Sequence, residues 1–169
     1  MRSYKYIGPK DLLELIKDIG KGDIILSLQD VISWIKNTDQ ILDGENSVIA
    51  TYIVNLNKEL LIADRHSEHV VCAGGENVLA AGEITFTIEN NIISISEITN
   101  QSTGYCPDID SWNSLKDALN KTGMDHPDEF GREFIFRKCD NCGLVNLVKD
   151  DWFVCVSCNS GLSKLWNLS

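Results

Sequence analysis

Apolar positions at Leu12, Leu13, Leu15, Ile16 and Ile19 fall on one helical face, with Gly8-Pro9 ahead of them and Gly20 behind. This spacing predicts a first helix of about three turns. Ser27 precedes Leu28, Val31, Ile32 and Ile35, with Asp30 three residues on, so a second helix is expected to start at a serine cap and end near Asn37. From Ser47 the texture changes to β-branched and aliphatic residues. SVIATYIVNL and ELLIAD, separated by Asn57-Lys58, read as a hairpin.

A polar, glycine-containing loop is expected from Arg65 to Asn77. GEITFTI and IISISEI then form a second hairpin: Ile84, Phe86 and Ile88 alternate with Thr85 and Thr87, and Glu89-Asn90-Asn91 supplies the turn. Ser111 is placed as the cap of a third helix carrying Trp112, Leu115, Ala118 and Leu119 on one side, and Gly123 stops it. Helices, then hairpins, then a helix describe an α+β fold, an antiparallel β-sheet of hairpins with packed helices. Two units are expected: an α+β body over residues 1–130 and a different kind of object over 131–169.

That C-terminal object carries the strongest chemical signal. Cys139-x-x-Cys142 and Cys155-x-x-Cys158 are separated by twelve residues, and a two-residue gap lets both thiolates of a pair reach one metal. Leu144 to Val148 and Trp152 to Val154 are strand-like, and a hairpin between them would bring the pairs together. The segment resembles a zinc ribbon over about residues 134–162. One structural Zn²⁺ held by Cys139, Cys142, Cys155 and Cys158 is therefore expected, since a closed four-thiolate shell leaves no position for water or substrate. Iron also accepts four thiolates. A thioredoxin-like centre would need a single C-x-x-C in a βαβ setting, and disulfides are unusual without an export signal. Phe134, Phe136, Trp152, Phe153 and Trp166 are expected to pack the ribbon on the body rather than form an exposed docking face.

Charge narrows the partner. The 169 residues carry a net charge of −10, and residues 131–169 hold five basic and four acidic side chains, leaving −11 on residues 1–130. A body of that sign repels a phosphate backbone, so nucleic acid ranks below a protein partner, and that partner would be basic. The N-terminal stretch has no apolar run of the length a signal peptide or membrane span requires, which points to the cytoplasm and away from membranes.

A weaker constellation lies in the body: Arg65-His66-Ser67-Glu68-His69, Ala80-Ala81-Gly82-Glu83, and Asn100-Gln101-Ser102-Thr103-Gly104-Tyr105-Cys106-Pro107. Each abuts a strand end, so loops on a rigid sheet could gather His66, His69, Glu83, Ser102 and Tyr105 around a polar ligand. A histidine would serve there as acid or base, Glu83 would orient it, and Ser102 or Tyr105 would donate hydrogen bonds. Against this, Gly74-Gly75 and Gly82 fit turns or bulges, Tyr105 with Pro107 fits a corner pinned to the core, and Cys72 and Cys106 fit small buried residues.

The order of these segments over residues 66–107 resembles a pattern of plant IQ-motif calmodulin-binding proteins and toxin-like bacterial proteins. It departs from that pattern where Glu68-His69 follow His66-Ser67 and where Thr103 separates Ser102 from Gly104, and no activity transfers with it. The chain as a whole is similar to uncharacterised bacterial proteins with the same order of body and ribbon. Two functions follow as expectations: a zinc-binding protein-interaction module, such as a bacterial toxin-neutralising or accessory factor, or a small enzyme or ligand-binding protein built on the His/Glu/Ser/Tyr constellation.

Overall fold

The computed structural model describes residues 2–16, 20–38, 46–90 and 92–168. The order of elements is α1 (Leu12–Leu15), β1 (Asp23–Ile25), α2 (Leu28–Asn37), β2 (Ser47–Val54), β3 (Leu60–Asp64), α3 (His69–Cys72), β4 (Ala80–Glu89), β5 (Ile92–Ile98), a 3₁₀ turn (Ile109–Ser111), α4 (Trp112–Thr122), β6 (Ile135–Lys138) and β7 (Val145–Val148). The first five strands form one antiparallel sheet in the order β1-β3-β2-β4-β5. The architecture is α+β, and both expected hairpins are present.

Alternation along the central strands explains why both faces of this sheet are covered. Tyr52, Val54, Ile84 and Phe86 point to one face, where they meet Val31 of α2 and Leu115, Ala118 and Leu119 of α4. Ile53, Leu61 and Ala81 point to the other, where Val70, Val71 and Cys72 of α3, Tyr4 and Tyr105 cover them. Strand β2 is accordingly buried along nearly its whole length.

Several expectations are corrected in detail. Residues 65–77 are not all loop, because Val70, Val71 and Cys72 are apolar enough to bury one turn of helix, α3. The edge strand β1 and the bridge between Tyr4 and Val78 have no hydrophobic period of their own to announce them. Neither serine caps its helix through its side chain. The Ser27 hydroxyl and the Leu26 N–H both donate to Asp30 Oδ2, at 2.9 and 3.0 Å, so the first-turn acid takes up the bonds. Ahead of α4, Asp108 accepts from the Ile109 N–H, while Gly123 stops the helix in the left-handed conformation as expected (φ 70°). The end of the expected first helix, over 17–19, lies outside the described residues, as does Asn91 of the hairpin turn.

The four-cysteine segment is built differently from the expected hairpin. Strand β7 pairs with β6, ahead of the first cysteine pair, and not with residues 152–154. Val154 instead bridges to Gly161 beyond the second pair. Each C-x-x-C pair thus sits inside its own short antiparallel turn, which aims both at a common point.

The base of this segment is packed on the sheet-bearing part. The Asn100 side chain donates to the Phe134 and Pro107 carbonyls, at 2.8 and 3.1 Å, and accepts from the Phe134 N–H at 2.7 Å. Phe134, Phe136, Trp166 and Leu168 gather around Cys106, and Trp166 donates from Nε1 to the Cys106 carbonyl. Asp108 receives Arg2 at 2.9 Å and Arg137 at 3.8 Å. Phe153 belongs to the cysteine segment's own small cluster, and Trp152 is 71% exposed, which corrects the assignment of both to the contact with the body. Among the described residues no helix is long and apolar enough to cross a membrane.

Candidate functional site

The first site is the cysteine cluster. The Sγ atoms of Cys139, Cys142, Cys155 and Cys158 all lie within 4.8 Å of one another. Cys139 and Cys158 are 3.5 Å apart, and Cys142 and Cys155 are 3.6 Å apart. Disulfides need about 2.05 Å, so these are free thiols. A tetrahedron with metal–sulfur bonds of about 2.3 Å has edges of about 3.8 Å, close to the separations seen. The donor set and its size therefore fit one metal ion.

Hydrogen-bond donors surround the sulfurs. Asn141 and Ser160 pull the Cys158 thiol down to about 5, and the N–H groups of Cys158 and Ser157 lower Cys155. At Cys142 the Leu144 N–H also lowers the thiol, but its hydrogen-bonded neighbours and desolvation outweigh it and hold the group at about 12. Crowded sulfurs cannot all ionise unaided, and a dication at their centre would supply the missing charge. Asn146 braces the cluster from outside: its Nδ2 lies 3.7 Å from Cys155 Sγ and its Oδ1 accepts from the Val156 N–H. A lone polar residue between Val145 and Leu147 was the available signal for this role.

The second site is a cavity of about 190 Å³ at one end of the sheet. His66, His69 and Glu83 line it, together with Arg65, Glu68, Gln101 and Thr103 from the same three sequence segments. The expected constellation is brought together only in part. Tyr105 is buried in the second core cluster and donates to the Glu76 carbonyl at 2.6 Å, pinned as a corner would be. Ser102 is buried with its hydroxyl unpaired. Neither lines this cavity.

The wall is held by polar contacts, part-buried at Thr51 and His69 and exposed at His66. Thr51, whose hydroxyl projects from the middle of β2, donates to the carbonyls of Ser67 at 3.1 Å and Arg65 at 3.4 Å. Sequence reading missed this residue, whose one sign is a hydroxyl inside an otherwise apolar strand. Asp64 Oδ1 accepts from both the backbone N–H and the ring Nδ1–H of His66, at 2.8 and 2.9 Å. His69 donates from Nε2 to the Gly82 carbonyl at 3.0 Å, while desolvation lowers its pKa to about 4, so the ring is neutral at neutral pH and Nδ1 is its acceptor.

Gly82 is neither turn nor bulge. It lies within β4 opposite Tyr52, and a β-carbon on it would collide with the Thr99 carbonyl. By contrast Gly74 and Gly75 do occupy turn conformations, with φ of 62° and 80°. Cys72 and Cys106 are buried, and desolvation pushes both thiols to about 12, which makes them inert. His126 is tied to its own loop through the Pro127 carbonyl.

Compared with known proteins, the chain matches no family model, no curated protein and no solved structure.

Proposed function

We propose that the chain is a zinc-stapled protein-interaction module. The metal reading rests on chemistry: four soft thiolates at tetrahedral spacing select zinc among abundant dications, and the closed shell makes the ion a structural staple. The local apolar cluster of Val148, Leu162, Ile135 and Phe153 is too small to hold the segment by itself. On this reading Cys139, Cys142, Cys155 and Cys158 are the ligands.

The observation that carries the interaction role is the arm leading into and out of Cys155. Phe153 and Cys155 turn inward, while Trp152 and Val156 stand 71% and 80% exposed. A large aromatic ring and a β-branched side chain left in water beside a rigid metal turn are a poor solution for an isolated chain and a good one for a docking surface. The −11 charge of the first 130 residues favours a basic protein over nucleic acid. A bacterial toxin-neutralising or accessory factor is one form this role takes. Free cysteines throughout the described chain fit the reducing cytoplasm.

The test has two parts. Metal analysis of the purified chain is expected to give one zinc per molecule, and a thiolate cluster holding iron or nothing overturns the metal reading. Cross-linking in cells followed by mass spectrometry identifies partners, whose binding is then measured with purified components at low and moderate salt. The Trp152→Ala chain is expected to lose at least about tenfold in affinity with its metal retained. Equal affinity of the two chains sinks the docking role of the arm.

A further inference from the structure

Beyond the metal cluster and its docking arm, the cavity beside β4 has the marks of a built binding site. Three segments far apart in sequence meet there, and the approach of two of them needs a glycine. Because Gly82 has no side chain, the Thr99 carbonyl comes down onto β4, and Gln101 and Thr103, two and four residues further on, line the cavity. The third segment is tied down from beneath by the buried Thr51 hydroxyl, which spans the Arg65 and Ser67 carbonyls. His69 fastens the start of α3 to the same stretch of β4. The fold thus spends buried polar groups on fixing a small recess.

Its lining selects the chemistry. Every lining residue is polar, so there is no apolar wall for a lipid and no tyrosine, tryptophan or phenylalanine on which a nucleobase could stack. The cavity, about 190 Å³, is smaller than the roughly 300–1,000 Å³ that drug-sized ligands fill. The four cysteines apart, no group of three histidine or acidic side chains among the described residues closes on a common point, so nothing in this lining points to a metal ion. What remains is charge of both signs from three lining residues, the exposed Arg65 and Glu68 and the half-buried Glu83. A bare phosphate would meet those two carboxylates, and a simple cation would meet the guanidinium. A ligand carrying one cationic and one anionic group satisfies both, and Gln101 and Thr103 add neutral hydrogen-bonding groups for the remainder.

The geometry points to a binding site for a small zwitterion of the α-amino-acid class, with the ligand's carboxylate facing Arg65 and its ammonium facing Glu68 and Glu83. The inference is independent of the protein-docking role, since the cavity and the Trp152 arm share no residue.

Isothermal titration calorimetry with the full-length, metal-loaded chain tests it, using the twenty free α-amino acids one at a time. For any that binds, its carboxamide and its N-acetyl derivative are then titrated. The expected result is saturable binding of at least one amino acid, with each derivative weaker by about tenfold or more because one charge of the ligand is gone. Arg65→Met and Glu83→Gln should each weaken binding by at least about tenfold, with far-UV circular dichroism and metal content unchanged. Glu68→Gln, on an exposed residue ahead of α3, repeats the test should β4 not tolerate the change at Glu83. No binding by any of the twenty at about millimolar concentration overturns the proposal. So does a carboxamide that binds as well as its parent, which would make the recess a cation pocket, or binding that survives the Arg65 and glutamate substitutions.

Discussion

The Thr99 carbonyl lies directly against the α-carbon of Gly82, closer than any side chain at position 82 would permit. The contact involves backbone on both sides, so neither partner can swing aside as a flexible side chain would. Gly82→Ala is therefore expected to destabilise the fold by about 3 kcal/mol, the upper end of ordinary overpacking costs. Urea unfolding followed by circular dichroism measures it. A loss below about 1 kcal/mol would mean that the 99–103 segment can lift away from β4 at little cost.

Asn100 is fully buried, and its amide joins β5's exit to Phe134 at the foot of the four-cysteine segment. Asn100→Ala leaves the Phe134 N–H and the Phe134 and Pro107 carbonyls without this partner in a largely buried junction, at a cost of about 2–4 kcal/mol. Asn100→Asp keeps the acceptor but not the donors. Both variants should expose Phe134 and Trp166, read as a red shift in tryptophan emission and faster amide exchange over residues 132–138. Unchanged exchange there would show that the aromatic contacts alone hold the junction.

What the sequence revealed and what it hid follow from the range of the forces involved. Helix α4 and the two hairpins are written locally, because Leu115, Ala118 and Leu119 repeat at helical spacing and Ile84, Phe86 and Ile88 alternate. Strand β1 is three residues long, and its existence depends on the β3 edge it pairs with. The four cysteines were legible because their paired C-x-x-C spacing is that of a metal-binding set. How they converge was not: β6 pairs with β7 while Phe136 of β6 packs on Cys106 and Leu168, a long-range contact. In the cavity, His66, His69 and Glu83 are legible by their chemistry, but Tyr105 is drawn into the core by its ring and by the Glu76 carbonyl. A tyrosine's apolar body and polar tip serve a core as well as a ligand.

Removing the metal should separate the two kinds of packing in the chain. The sheet-bearing part has an extensive core on both faces of the sheet, whereas the apolar cluster around the thiols has four buried members, two of them Cys139 and Cys155 themselves. Chelation, or Cys139→Ser, is expected to abolish slow amide exchange over residues 139–162 while leaving it intact in β2 and β4. Hydrogen exchange with mass spectrometry checks this. Collapse of protection in β2 on chelation would show that the staple also holds the sheet.

His69 sets a pH dependence whose sign can be worked out. Desolvation lowers its pKa from the ordinary 6.5 to about 4 in the folded chain, against the smaller opposing pull of the Gly82 carbonyl. Above about pH 6.5 neither the folded nor the unfolded chain protonates the ring, and the contribution to stability is complete. As pH falls from there towards about 4, the unfolded chain takes up a proton that the folded one refuses, and stability declines by at most about 3 kcal/mol. His69→Gln keeps a donor for the Gly82 carbonyl without a titrating group, so its stability should fall less than wild type's between about pH 7 and pH 4.5. Urea midpoints for both chains across that range give the difference directly, with other titrating groups common to both. Parallel pH profiles would place the His69 ring in contact with water, and with it the floor of the recess beside Gly82.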